Sequence, residues 1–339
     1  MTVTPAPVEG LKTRVDPGRS RLDGPMAYQG SLDGYSQFEV TPAVGREFGA
    51  DLQLSDLINS PDSDALIADL AVLVSRRGVC FFRGQDIDPE QMMVLAKRIG
   101  ELSGRPSASN MCIHPVSDVT PELVNTPKTQ LISAERQNKG GGIRRIHDDL
   151  SRWASVAWHS DVSFENVPSD YSMLKVNVLP EAGGDTLWVS GYDVLDRISP
   201  NFLSYLETLT AEHNAEFFHQ EAANLGITVR DDIERGNPLN KGRYLAAHHP
   251  ALFVNRGFTK RIDDVSKDES DMILNYLNQI MIHNIDVQCR FRWEKGSVAL
   301  WDNREERSGD RASSIGERPY FDAASKLKSE ALKEEGNKW

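Results

Sequence analysis

The chain has 339 residues, of which 39% are hydrophobic and 26% charged, a composition typical of a globular protein and not of a disordered or fibrous one. Its net charge of −12 argues against a nucleic-acid-binding protein, which needs a basic face. Three cysteines without a CxxC pair exclude a zinc ribbon and a disulfide framework, and with no membrane-spanning apolar run or signal-peptide core we expect a cytoplasmic protein without a membrane partner.

Residues 1–35 are rich in Pro, Gly and charged residues and show no periodicity, which predicts a flexible N-terminal leader. The first regular pattern predicts a helix that Gly78 ends, followed by a short strand over Val79–Phe82. The apolar face of that helix consists of Leu66, Leu70, Leu73 and Val74. A second helix is predicted from Asp88 as N-cap, Pro89 at the first helical position and Gln91, which completes a capping box.

Later segments add two more predicted helices and a series of short strands. One helix starts at Pro200 after Ser199 as N-cap. The other lies in KDESDMILNYLNQIMIHN, with one face made of Ile273, Tyr276, Leu277 and Ile280. VQCRFRW alternates apolar and polar residues, and the turn EKGS leads into VALWDN. Short strands without βαβ alternation predict a barrel or sandwich with helices packed outside.

A histidine and an aspartate stand two residues apart in ASVAWHSDVSFE, residues 154–165. On a strand, positions i and i+2 face the same side, so His159 and Asp161 could bind one metal ion together. The plainer alternative is a surface pair or a structural hydrogen bond. His147 and Asp149 have the same spacing, but their neighbours are typical of a loop, so the strand context favours the His159 pair.

Two further patterns suggest recognition of anions. The turn Gly-Gly-Asp leads into a predicted strand that begins at Thr186. Near the C-terminus, Arg307 and Arg311 are four residues apart, and on one strand both would face the same side, which suits a carboxylate or sulfonate. The alternative is a solvated, charged strand face.

The motifs WHSD, GGDT and WDNR, followed by paired arginines, stand here in an order that resembles the TauD/TfdA family of Fe(II)/2-oxoglutarate-dependent dioxygenases. The resemblance is closest to the taurine/sulfonate dioxygenase branch and includes GVCFFRGQDI, LSGRPSASNMCIHPVSD and FVNRGFTKRI. It implies a mainly β fold with flanking helices, a double-stranded β-helix (jelly roll) barrel. The expected domains are the leader 1–35, a single dioxygenase domain over 36–330 and a charged tail over 331–339.

The same resemblance implies a site and a reaction. Its side chains are the iron ligands His159 and Asp161, the 2-oxoglutarate-binding Thr186 and Arg307, and the substrate-binding His114 and Arg311. No catalytic residue is implied beyond the metal site. The cofactor would be Fe(II), and the cosubstrates 2-oxoglutarate and O2 would yield succinate and CO2 while a small anionic substrate, for example a sulfonate such as taurine, is hydroxylated. Relatives commonly self-associate, which implies a homo-oligomer.

The chain departs from the family pattern where the second iron-binding histidine is expected. EERSGDR follows WDNR, and no histidine occurs after His283. An ungapped alignment puts Ser308 at the histidine position, whereas a gapped alignment keeps Arg307 and Arg311 in place and removes the histidine loop. A second shortening lies in YLAAHHPALFVN, where relatives carry an additional hairpin. The gapped alignment is preferred because it preserves everything downstream.

The missing histidine leaves several alternatives open. Substitute ligands would be His248 or His249 from the shortened hairpin, or Glu305 or Glu306 from a charged turn. The main functional alternative is a catalytically impaired family member that acts as a binding or subunit-interaction protein. A more remote alternative is a structural β-barrel module, against which the retained threonine and arginines argue.

Overall fold

A computed structural model describes a large part of the chain. The described residues are 26–105, 111–112, 114–116, 139, 158–165, 168–229, 242–245, 247–248, 251–303, 306–307, 312–315 and 326–334. Within these ranges no helix is long and apolar enough to cross a membrane.

The described residues form eight α-helices, numbered here in chain order. They are α1 (Leu54–Asn59), α2 (Ser63–Arg77), α3 (Pro89–Leu102), α4 (Gly191–Leu195), α5 (Pro200–Leu206), α6 (Phe217–Leu225), α7 (Lys267–His283) and α8 (Lys328–Glu334). The predicted ends of α2 and α3 are confirmed. Gly78 ends α2 with a φ of 72°, and Asp88 and Gln91 form the reciprocal capping box at the start of α3.

Fourteen strands lie in the same described ranges. They are β1 (Gln37–Glu39), β2 (Arg46–Phe48), β3 (Val79–Phe82), β4 (Ser169–Lys175), β5 (Thr186–Val189), β6 (Thr210–His213), β7 (Gly242–Leu245), β8 (Ala247–His248), β9 (Ala251–Leu252), β10 (Thr259–Ile262), β11 (Gln288–Phe291), β12 (Val298–Asp302), β13 (Glu306–Arg307) and β14 (Ala312–Ile315). The predicted strand over Val79–Phe82 is confirmed as β3.

Two sheets face each other and enclose an aromatic core. The larger sheet has the order β1-β2-β3-β12-β4-β14, and the smaller one β11-β5-β13. Trp188 of β5 packs edge-on against Phe81 of β3 at 5.0 Å between ring centroids, and Trp301 of β12 lies 6.2 Å from Trp188. Phe291 of β11 stacks on Phe81 at 4.0 Å. The predicted alternation of β11 is confirmed, because Cys289 and Phe291 are buried in this core.

Helices contain more residues than strands in the described part of the chain, so the expectation of a mainly β chain is met only in part. The helices form two layers outside the sheets. Helices α1, α2 and α3 pack on the larger sheet through Leu70, Leu73 and Leu95. Helix α7 packs through Ile273 and Leu277 against a second cluster that includes α4 and α5.

The last ten residues of the predicted leader, 26–35, lie against α2. Leu32 is fully buried in the core beneath the helices. The backbone N–H groups of Gln29 and Ser31 donate to the two carboxylate oxygens of buried Asp69 at 2.7 and 2.8 Å. The packed part of the chain therefore begins before residue 36.

A buried histidine joins the β6–β10 pair to the turn over residues 161–164. His213 of β6 lies opposite Thr259 of β10 and stacks on the ring of Phe253. Its Nδ1 lies 2.9 Å from the hydroxyl of Ser163. Burial lowers the pKa of His213 from 6.5 to about 3, so the ring stays neutral and holds the turn by hydrogen bonding.

We expect acid to destabilise the protein through His213. The unfolded chain takes up a proton near pH 6.5, whereas the folded chain does so only near pH 3, so this stability is present above pH 6.5 and is lost as pH falls toward 3. The slope is on the order of 1 kcal/mol per pH unit in this window. Urea unfolding at several pH values should show a shallower decline for His213→Gln than for wild type. Parallel declines would contradict this assignment.

Candidate functional site

His159 and Asp161 lie beside each other and are largely buried. The Nε2 atom of His159 is 3.4 Å from Oδ1 of Asp161, and the two side chains are only 13% and 3% exposed. His159 is not part of any of the fourteen strands, and Asp161 begins a turn over residues 161–164. The two side chains thus meet as predicted, but through a turn instead of the continuous strand that the sequence pattern suggested.

The turn has a strained backbone. Val162, directly after Asp161, has a φ of 46°, a conformation that is unusual for a β-branched residue. Val162 and Phe164 are both buried in a cluster with Phe218 and Phe258. Strained residues of this kind persist where surrounding contacts hold them, and they concentrate at functional sites.

Asn303, which directly follows β12, holds the Asp161 backbone. The Asp161 N–H donates to Oδ1 of Asn303 at 2.8 Å, and Nδ2 of Asn303 donates to the Asp161 carbonyl at 2.8 Å. Nδ2 also donates to the Ser169 carbonyl at 3.0 Å. Asn303 belongs to the WDNR motif, and the sequence alone does not predict this contact.

Thr186 is buried, as the first residue of β5. Its hydroxyl oxygen accepts a hydrogen bond from the Trp293 indole N–H at 2.9 Å, and the residue is 3% exposed. Strand β13 pairs with β5 so that Arg307 lies opposite Trp188. Residues 186 and 188 face the same side of a strand, so the register places Arg307 on the sheet face that carries Thr186.

His114 belongs to the aromatic cluster that borders the turn. The backbone N–H of Val116 donates to its Nδ1 at 3.1 Å, and its ring packs edge-on against Phe218 at 4.8 Å. Phe258 contacts both Phe218 and His159, with ring centroids 6.2 and 5.9 Å away. His114 and His159 therefore border the same cluster.

The prediction that one strand carries both arginines concerns a segment that is described only in part. Arg307 lies in β13 of the smaller sheet, whereas Ala312 begins β14, which pairs with β4 of the larger sheet. Arg311 lies outside the described residues, and so do the alternative pair His147 and Asp149.

Other residues raised as substitute metal ligands are described in part or not at all. Strands β8 and β9 pair with His248 opposite Ala251, so two residues connect them, which agrees with a shortened hairpin. The side chains of His248 and Glu306 lie outside the described part of the structure, as do His249 and Glu305 entirely. Among the described residues, no group of three or more His, Cys, Asp or Glu side chains is arranged to hold a metal ion.

The chain is similar in sequence to a family of dioxygenases. The sequence pattern of the family described as "Taurine catabolism dioxygenase TauD, TfdA family" matches residues 36–305. An α-ketoglutarate-dependent dioxygenase from Penicillium shearii is 34% identical over 91% of this chain and 96% of that protein. An α-ketoglutarate-dependent sulfonate dioxygenase from Saccharomyces cerevisiae is 31% identical over 78% of this chain and 60% of that protein.

The alignment with the Penicillium protein also bears on the internal shortenings. It runs over 367 positions, more than the 339 residues of the whole chain. That relative therefore carries segments that this chain lacks. The family match itself ends at residue 305, ahead of Arg307 and Arg311.

Solved structures show the fold independently. A taurine dioxygenase from Burkholderia xenovorans superposes with a TM-score of 0.63 at 21% identity, covering 85% of this chain and 91% of that chain. The family match covers well over half of the chain, and named relatives at 34–35% identity extend over most of it. The resemblance read from WHSD, GGDT and WDNR is confirmed: the chain belongs to the TauD/TfdA family of α-ketoglutarate-dependent dioxygenases.

Proposed function

We propose that the protein is an Fe(II)/2-oxoglutarate-dependent dioxygenase that hydroxylates a small anionic substrate, with organic sulfonates as the preferred class. The observation that carries this proposal is the buried pair of His159 and Asp161, whose donor atoms face each other 3.4 Å apart. The facing sheets, with Thr186 between them, are in this proposal the two halves of a double-stranded β-helix.

The separation of the two donor atoms suits joint binding of one metal ion. Nitrogen and oxygen ligands lie about 2.1 Å from a first-row divalent metal, so two neighbouring ligands are about 3.0 to 3.4 Å apart. An imidazole and a carboxylate are two of the three ligands in the facial arrangement of non-haem iron oxygenases. His159 and Asp161 fit these two positions.

Iron bound there would supply the activation of O2 that couples decarboxylation of 2-oxoglutarate to hydroxylation of the substrate. The chain's own residues would bind and orient the cosubstrate. The Thr186 oxygen accepts from Trp293, which leaves its hydroxyl proton to donate to a carboxylate. Arg307, on the same sheet face by register, would add a forked, charged partner for that carboxylate.

The substrate side is proposed to contain His114 and Arg311. Because Nδ1 of His114 accepts the Val116 N–H, the neutral ring carries its proton on Nε2, where it can donate to an anion. A sulfonate is favoured because the yeast relative is named a sulfonate dioxygenase and a relative from Pseudomonas putida, 28% identical, a sulfate ester dioxygenase. Both substrate groups present a singly charged cluster of oxygens.

A second candidate is a family member that binds ligands but has lost iron. It is favoured by one sequence observation, the lack of any histidine after His283. The named dioxygenase relatives favour the enzyme instead. Measured iron binding separates the two candidates.

We expect anaerobic titration of the 339-residue protein with Fe(II) and 2-oxoglutarate to produce the weak visible charge-transfer band of 2-oxoglutarate chelated to iron. The variant His159→Ala should abolish the band because it removes one of two protein ligands. His283→Ala is the matched control, since His283 is exposed at the end of α7. Circular dichroism of each variant would verify folding.

A flat titration of folded wild-type protein would contradict the iron site and support the binding-protein candidate. Loss of the band in the His283 variant as well would show that the signal does not report on the His159 site. Retention of the band in His159→Ala would place the iron elsewhere.

Thr186→Val should specifically weaken the binding of 2-oxoglutarate. Valine has the same shape but no hydroxyl, and a hydrogen bond to a charged group contributes about 1.5–3 kcal/mol, so we expect the KM for 2-oxoglutarate to rise about 10- to 100-fold. Thr186→Ser keeps the hydroxyl and should stay close to wild type. Both variants are compared by 2-oxoglutarate-dependent succinate formation. Equal KM values for valine and serine variants would contradict the role of the hydroxyl.

The substrate class can be tested with a matched set of compounds. Succinate formation should rise most with alkanesulfonates, less with alkyl sulfate esters, and least with a neutral alcohol of equal length, because only the first two offer an anionic oxygen cluster. An equal response to the neutral alcohol would contradict recognition of an anion. A larger response to an aryloxyalkanoate would replace sulfonate with carboxylate as the substrate group.

A further inference from the structure

We propose that Asn303 is a positioning residue that holds the Asp161 backbone and thereby sets the placement of the His159–Asp161 pair. This inference rests on the proposed function only for its connection to iron. The hydrogen bonds themselves do not depend on iron. Asn303 lies 142 residues from Asp161 in sequence and is 1% exposed.

The Asn303 side chain makes the hydrogen bonds to Asp161 that a neighbouring strand would make. In an antiparallel sheet, a hydrogen-bonded residue pair exchanges two N–H···O bonds. Here the amide of Asn303 exchanges both bonds with Asp161, each 2.8 Å long. Asp161 is thus paired as if it lay in a sheet, although its own chain has already turned.

The Asn303 amide uses nearly all of its hydrogen-bonding capacity, and only one orientation of the amide allows this. Its two N–H donors reach the carbonyls of Asp161 and Ser169, and its oxygen accepts the Asp161 N–H. A flipped amide would set N–H against N–H and oxygen against two carbonyls, so the bonding pattern fixes the orientation. An aspartate of the same shape could not reproduce this pattern.

Asn303 is itself held firmly. Its backbone N–H donates to the Asp170 carbonyl at 2.7 Å, and the preceding Asp302 N–H donates to the Gly78 carbonyl at 2.9 Å. The Asp302 carboxylate accepts the Tyr192 hydroxyl at 3.0 Å. Asn303 therefore transmits the fixed position of a central strand to the turn.

The turn needs such external support. Val162 holds a positive φ beside Asp161, a strained conformation that persists only where surrounding contacts maintain it. Without the Asn303 bonds, the Asp161 N–H and carbonyl would be left in a buried setting without these partners, and the turn would relax. The carboxylate and the imidazole of His159 would then lose their mutual placement.

The test compares Asn303→Asp with Asn278→Asp. Asn278 is also buried, and its Nδ2 donates to the Leu274 carbonyl at 2.7 Å within α7. Each change replaces one buried amide with a carboxyl of equal size. Asn278→Asp removes one N–H donor to a backbone carbonyl, and Asn303→Asp removes two. A loss that is merely structural should affect both variants alike, whereas positioning should affect Asn303→Asp alone.

Two readouts keep the outcome decisive. The first is hydrogen exchange of the Asp161 amide in metal-free protein, which we expect to accelerate at least 10-fold in Asn303→Asp and to stay unchanged in Asn278→Asp. The second is Fe(II) affinity in the presence of 2-oxoglutarate, followed by the chelate band, well below the melting temperature of each variant. Residues that orient metal ligands typically change affinity 10- to 100-fold, and we expect that loss only in Asn303→Asp.

Unchanged exchange at Asp161 in a folded Asn303→Asp protein would overturn the proposal. So would an equal loss of iron affinity in both variants, or affinity within about twofold of wild type in Asn303→Asp. If wild type binds no iron but the exchange difference is found, the positioning role stands and the proposed function fails. If Asn303→Asp does not fold, Asn303→Ser, which keeps a short polar group, is compared with Asn278→Ser by the same readouts.

Discussion

The site depends on one constraint: the buried carboxylate of Asp161 has to be held next to the imidazole of His159, although it lies on a turn with a strained backbone. The turn over residues 161–164 carries Val162 at positive φ, which opposes its formation. Two contacts from distant strands offset this cost. Asn303, at the end of β12, forms hydrogen bonds with the Asp161 backbone, and His213 of β6 forms one with Ser163.

These contacts come from two different sheets, so the site depends on the tertiary structure. Strand β12 lies between β3 and β4 in the larger sheet, and β6 lies in a separate three-stranded sheet with β10 and β7. Each contact therefore depends on a strand that lies far from the turn in sequence. The aromatic cluster that contains Val162 and Phe258 adds apolar burial beneath the same turn. The placement of the His159–Asp161 pair therefore comes from tertiary structure, while the local backbone conformation opposes it.

Sequence alone predicted the elements whose signals are local. Gly78 and Asp88 act on their own helix ends, so the C-terminus of α2 and the N-terminus of α3 could be predicted directly. The arrangement around Asp161 could not, because its partner Asn303 is 142 residues away. The placement of β13 and β14 in different sheets could not be predicted for the same reason: β13 pairs with β5 and β14 with β4, and residue spacing carries no information about sheet pairing.

The length of chain after Asn303 limits where a third iron ligand can originate. Strand β12 ends at Asp302 in the larger sheet, and β13 begins at Glu306 in the smaller one. Facing sheets are about 10 Å apart, and the three peptide units from Asn303 to Glu306 reach about 10–11 Å at most. Residues 304 and 305 between the two strands include no histidine, so in the proposed iron site a third histidine ligand would have to come from another segment. Without a third protein ligand, His159, Asp161 and the chelating 2-oxoglutarate would hold the iron, and the iron affinity of the proposed site would depend strongly on 2-oxoglutarate.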